Sequence, residues 1–238
     1  MTNRSAFPTT QATWLVTLAG DGGVDAAALA ERTAAAEKLR STLMERYAEP
    51  LAVFVRGSSL ARLGEPAEIV NGFFASRLSD ARFLTGWATS GMRLRRWLMN
   101  GILFYGQGLA RDRARMQQRG ATIEPSELDR QPGSVTTGEI DFERAWGLAV
   151  VREATARAET ELLAEGRSAD FEIFRRHAID GQPYAVFARD FGRSEQQCAG
   201  ATRLVAQRVR AKLAELLAEE GVPEREIDDE IARVRGML

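Results

Sequence analysis

Between Asp25 and about Arg56 apolar residues return at helical spacing, with Leu39, Leu43, Tyr47, Leu51, Phe54 and Val55 on one stripe. The pattern predicts a long amphipathic helix. Ser58, Ser59 and Gly64 end it, and Pro66 stands where a first-turn proline is tolerated. A second helix is therefore expected from about Glu65 to Leu78, with Ile69, Val70, Phe73 and Phe74 on its apolar face. A loop holding Gly86, Trp87, Thr89, Ser90 and Gly91 should lead into a basic helix from about Met92 to Gln118. Residues 119–141, with two prolines and three glycines, read as a linker that has few apolar residues to anchor it. Helices are expected again from about Phe142 to Ala164 and around Phe171 to Ala178. β-branched residues nowhere alternate with polar ones over four or more positions, so strands are not expected. The reading is all-α: helical domains at residues 1–120 and 142–220, a flexible linker at 121–141, and an acidic helical extension at 221–238.

Composition narrows the class. The chain of 238 residues is long enough for one large domain or two small ones, 45% of it is apolar, and no apolar run nears the roughly 18 residues of a membrane span. No leader pattern opens it, so a cytoplasmic location without membrane attachment is expected. Cys198 and His177 are the sole residues of their types, which excludes a disulfide framework, a Cys/His zinc cluster and a multi-histidine metal site. Nothing calls for a cofactor or a metal. The net charge of −1 argues against nonspecific coating of nucleic acid. The distribution is more telling, because seven arginines (93, 95, 96, 111, 113, 115 and 119) face one acid between Arg93 and Arg119, while Glu215 to Asp229 is strongly acidic.

One stretch, Pro183 to Leu204, has the spacing of a helix-turn-helix. Two helices crossing through a tight turn need a small residue where they approach and a glycine where the backbone turns; Ala188 and Gly192 supply these. Ser194 followed by Gln197 reads as a capping box that opens the second helix. Cys198 and Ala201 then face the first helix, and Glu195, Gln196, Ala199, Gly200 and Arg203 point outward. An ordinary helical hairpin fits the same pattern. Arg203, Gln207, Arg208, Arg210 and Lys212 follow with no acid between them, which suits backbone phosphates or, equally, a solvated face.

Taken in order, these pieces resemble the extracytoplasmic-function sigma factors of bacterial RNA polymerase, in particular a group opening with a Phe-Pro-Thr-Thr segment. Phe7-Pro-Thr-Thr10 and Trp14 match that opening, and the tail through Ile227-Asp-Asp-Glu-Ile231 is similar to the group's. Glu45 to Leu51 and Pro66 to Phe74 look like the family's polymerase-binding helices, which implies Glu68, Asn71, Phe73 and Phe74 as contacts to core RNA polymerase. Arg93 to Leu98 and Arg111 to Gly120 look like its minus-ten helix, which implies Arg93, Arg95, Arg96, Arg111, Arg113, Arg115 and a base pocket at Trp87 as contacts to promoter DNA. The helix-turn-helix falls where the family reads the minus-thirty-five element, adding Ser194, Glu195, Gln196, Arg203, Gln207 and Arg208. Trp87 and Trp97 are otherwise core aromatics.

The resemblance implies promoter-specific transcription initiation and no chemistry of the chain's own, and it leaves open an anti-sigma protein or a kinase as regulator. Departures stand at Asn71 and Gly72, where the family carries an acid and a glutamine, and at Gly101, Gly106 and Gly108, which interrupt the basic helix at roughly 1 kcal/mol each relative to Ala. They favour a second reading, a sigma-like protein that regulates by protein interaction without opening promoters. An enzyme using Glu153, Glu159 and Glu161 in a helical bundle is a third, with no Glu-x-x-His pair or Gly-rich loop to support it. The acidic tail is expected to lie over the upstream-reading domain.

Overall fold

The computed structural model describes residues 26–78, 80–118 and 137–238. The Phe7–Thr10 segment, Trp14, the side chain of Leu39 and most of the expected linker lie outside the described residues. Those described contain nine α-helices and no strand: α1 (Ala26–Arg56), α2 (Pro66–Arg77), α3 (Ala81–Ser90), α4 (Leu94–Gln118), α5 (Thr137–Ala164), α6 (Ser168–Phe174), α7 (Tyr184–Phe187), α8 (Glu195–Glu219) and α9 (Ile227–Met237). A 3-10 turn at Ser59–Leu63 follows α1, and a π-helical turn at Arg175–Ile179 follows α6.

Local chemistry explains most of the boundaries. Pro66 opens α2 at its first turn, where its missing N–H costs nothing. The Asp80 carboxylate caps α3 by accepting from the Arg82 N–H, and Gly91 ends that helix in the left-handed conformation. The segment around Trp87 is thus helix and not the loop expected from its glycines, threonine and serine.

A second correction falls at the start of α5, which begins at Thr137, inside the expected linker. Gly138 is buried against the backbone of Gly57, and a Cβ added at Gly57 would stand 2.7 Å from Gly138 Cα. The glycine that reads as flexibility in the sequence is a point of close backbone approach.

The main core gathers residues from α1 to α5, the last turns of α8, and α9. Tyr47, Leu51 and Phe54 of α1 are fully buried with Phe142, Trp146 and Val150 of α5, the Phe54 and Phe142 rings meeting edge to face at 6.2 Å. Phe73 and Phe74 of α2, Leu98 and Ile102 of α4, Leu216 and Leu217 of α8, and Val234 of α9 belong to the same cluster. The expected domains 1–120 and 142–220 therefore share this core. Two smaller clusters lie farther along, one of Ile173, Phe187, Ala188, Cys198 and Ala201, the other of Leu162, Phe171 and Val205.

Candidate nucleic-acid interface

The turn before α8 is built from short-range chemistry. Gly192 adopts φ 63° and ψ 30°, a left-handed conformation that a side chain disfavours. It lets the Arg193 N–H reach back to the Ala188 carbonyl at 3.1 Å. Ser194 Oγ then accepts from the Gln197 N–H at 3.2 Å, and Gln197 Oε1 accepts from the Ser194 N–H at 2.8 Å, a complete capping box. Arg193 and Arg167 both pair with Asp170 of α6, at 2.5 and 2.7 Å. Burial would raise the Asp170 carboxyl, but the hydrogen bonds from Arg193 and Arg167 outweigh it and hold the group below its usual range.

Cys198 and Ala201 pack inward on Phe187 and Ala188. Ser194, Glu195, Gln196, Arg203 and Gln207 are exposed, and a Cβ at Gly200 would meet nothing within 4 Å. Among the described residues Arg203 and Gln207 have no ion-pair or hydrogen-bond partner. Arg208 pairs with Glu161 and Glu165, at 3.6 and 3.1 Å, and Lys212 is held by Glu161 and Glu215. The stripe read as basic is free only at its first positions.

Helix α4 carries its arginines at two ends, about 27 Å apart at 1.5 Å per residue. At the far end Arg111, Arg113 and Arg115 are exposed; Arg111 Nε donates to the Gln107 carbonyl, and Arg115 has only a long 3.8 Å contact with Asp112. The near end is different. Arg93 pairs with Glu226 at 3.1 Å and Glu230 at 2.8 Å. Arg95 is buried over the Trp146 ring, 4.1 Å from its centroid, and donates to Glu143 at 3.1 Å and Glu230 at 2.7 Å, while its Nη1 has no hydrogen-bond partner among the described residues. Arg96, half exposed, reaches Glu139 at 3.2 Å. Burial works to raise the Glu230 carboxyl, but Arg233, Arg95 and Arg93 together hold it below the ordinary range.

Trp87 is buried in the main core, its indole N–H donating to the Met92 carbonyl at 2.8 Å, so in this arrangement it offers no face for a base. Trp97 packs beside Phe83 at 5.6 Å. On α2, Glu68 and Asn71 are exposed while Phe73 and Phe74 are core residues, so the four positions do not form one surface. Glycines here have steric reasons. A Cβ at Gly72 would collide with the Tyr105 hydroxyl, one at Gly101 would stand 2.8 Å from Phe83 Cζ, and one at Gly106 would collide with Leu60. They let α2, α3 and the 3-10 turn close onto α4, which runs unbroken through Gly101 and Gly106. Gly108 has nothing within 4 Å.

A second ionic cluster lies between α1, α5 and α8. The Arg46 guanidinium makes paired hydrogen bonds to Glu153 at 2.7 and 2.8 Å and a third to Glu220 at 3.2 Å; Glu220 is fully buried and also accepts from the Trp146 indole N–H at 3.0 Å. Burial raises the Glu220 carboxyl even against the Arg46 charge. For Glu153 the balance is reversed: burial pushes upward, but hydrogen bonds and charge from Arg46 and Arg157 win and lower it. Glu161 is tied to Lys212 and Arg208. Among the described residues no cluster of acids, histidine and cysteine is arranged to hold a metal ion. His177 Nδ1 lies 2.9 Å from the Gln182 carbonyl oxygen, and its ring stacks on Tyr184. No helix among these residues is long and apolar enough to cross a membrane.

Sequence reasoning missed Glu139, Glu143, Glu226 and Glu230 as partners of the near-end arginines. They lie 43 to 137 positions away, and charge counted along the chain carries no signal for such pairs. No family model, curated protein or solved structure matches the chain.

Proposed function

We propose that the chain is a sigma factor of the extracytoplasmic-function kind, which binds core RNA polymerase and directs promoter-specific initiation without performing chemistry. The observation that carries the reading is the Gly192 turn with its complete Ser194 capping box, which leaves Ser194 and Glu195 exposed at the start of a long helix, with Gln196, Arg203 and Gln207 exposed along the face opposite Cys198 and Ala201. Such a helix-turn-helix suits base edges through Gln196 and Arg203 and phosphates through Arg203 and neighbouring backbone N–H groups. The exposed Arg111, Arg113 and Arg115 give a second, sequence-independent footprint for a phosphate backbone. Glu68 and Asn71 of α2 would face the polymerase, with Phe73 and Phe74 holding the helix in place from beneath.

A second reading, a sigma-like regulator that binds protein partners without opening promoters, is favoured by one observation: Arg93, Arg95 and Arg96 are engaged by acids and Trp87 is buried. Co-purification with core RNA polymerase followed by run-off transcription from a promoter library separates the two. Transcription that depends on the chain supports the sigma factor, polymerase binding without transcription supports the regulator, and absence of polymerase binding removes both.

A further inference from the structure

The two ends of α4 carry the same kind of residue in opposite states. Arg111, Arg113 and Arg115 stand in the open, whereas Arg93 and Arg95 are covered by the acids of a segment more than a hundred residues downstream. The cover is α9 with the 3-10 turn before it, Glu224–Glu226. Glu226 and Glu230 supply three ion pairs, Arg233 of α9 reaches Glu143 on α5 at 2.8 Å, and Asp228 reaches Arg210 of α8 at 2.8 Å. Val234 is the apolar pin, fully buried, with Gly147 of α5 beneath it. The sequence expectation puts the acidic tail on the upstream-reading domain; α9 meets Glu143 of α5 and Arg210 of α8 there, while Glu226 and Glu230 also grip Arg93 and Arg95 at the start of α4.

The fit is good in charge and incomplete in hydrogen bonding. A guanidinium forks onto carboxylates and phosphates alike, and Arg95 Nη1 is buried with no hydrogen-bond partner among the described residues. Carboxylates that satisfy a cation pair only in part can be displaced by an anion that satisfies it fully. The covered arginines also extend along the helix whose other end is a free cationic surface.

We propose that Arg93 and Arg95 form a binding site for a single-stranded nucleic-acid backbone, and that α9 is its intramolecular occupant, a latch whose Glu226 and Glu230 must leave before the polyanion enters. The latch rests on the sigma-factor reading only for the identity of that polyanion. In the latched state a strand touches Arg111, Arg113 and Arg115 alone; in the released state it tracks the full length of α4.

Three variants of the full chain test this with a fluorescent single-stranded oligodeoxynucleotide of roughly 16 nucleotides, a span typical of single-strand sites, read by anisotropy at fixed salt. A Cβ at Gly147 would lie 3.7 Å from Val234 Cγ1, so Gly147→Cys with Val234→Cys is placed to form a bond that locks α9 down. The expected result is affinity about tenfold weaker in the oxidised protein than in the same protein after reductant, a size ordinary for coupling between sites. Glu226→Gln with Glu230→Gln should tighten binding by a similar factor, and adding Arg93→Ala should cancel that gain. Equal affinity in oxidised and reduced protein, with binding intact, overturns the latch and leaves the functional reading standing. Absence of binding in every form overturns both.

Discussion

Gly106 and Gly108 sit two positions apart in α4, yet alanine at each should move stability in opposite directions. At Gly108 a Cβ meets nothing within 4 Å, so the substitution removes the backbone entropy cost of glycine in a helix and should stabilise by about 1 kcal/mol. At Gly106 the same methyl runs into Leu60, which is 1% exposed and has no free volume to retreat into. Overpacking of that kind costs about 1–3 kcal/mol, against the same gain of about 1, so the net change should be a loss of up to about 2 kcal/mol. The two variants should then differ by about 1–3 kcal/mol. Urea unfolding followed by circular dichroism measures this directly, and in a thermal scan each kcal/mol corresponds to roughly 2–4 °C for a chain of this size. Equal shifts of the same sign would show that the 3-10 turn does not close on α4 as described.

Three further outcomes follow from the ion pairs and the exposed arginines. Arg46→Met should cost about 3–5 kcal/mol by urea unfolding, because it strands the fully buried Glu220 carboxyl group without its ion-pair partner and leaves Glu153 to Arg157 alone. Acidification should weaken the fold. Glu153, Asp170 and Glu230 have folded pKa values below their unfolded ones, so they bind fewer protons when folded, and their contribution, complete above about pH 5, is lost as the pH falls through and below the usual carboxylate range. Glu220 is raised and has the opposite sign, so in Glu220→Gln the acid loss, followed by denaturation midpoints from neutral pH downward, should be steeper than in the parent. In oligonucleotide binding, Arg111→Ala, Arg113→Ala and Arg115→Ala should each lower the slope of log affinity against log salt by about 0.7; unchanged slopes would remove that end of α4 from the interface.

What the sequence made legible was local. Pro66 marked the start of α2 to within a residue, the Ser194–Gln197 box marked the start of α8, and the helical periodicity drew α1 nearly to length, while α5 begins earlier than the expected Phe142. Three things resisted. Trp87 sits among Gly, Thr and Ser, which compete for turns, but the Asp80 cap and burial of Leu84 and Trp87 make that stretch a helix. The glycines at 72, 101, 106 and 138 look like weak points in a one-dimensional reading, and only a neighbour distant in sequence shows that three of them admit a partner's side chain and one its backbone. Charge misled most. The acidic and basic regions are segregated along the chain, but of the arginines read as basic surface Arg93, Arg95 and Arg96 are held by acids distant in sequence, while Arg111, Arg113, Arg115 and Arg203 are exposed.

The contact between Gly57 and Gly138 also has a bearing on how the chain matures on the ribosome. Tyr47, Leu51 and Phe54 emerge early, yet the surfaces that cover them, Phe142, Trp146 and Val150, follow only after a long intervening segment, and Leu216, Leu217 and Val234 later still. At roughly 5–20 residues per second, α1 spends several seconds with its apolar stripe uncovered. A nascent chain arrested before Thr137 should therefore be a preferred client of a holdase chaperone, and one released past Val234 should not.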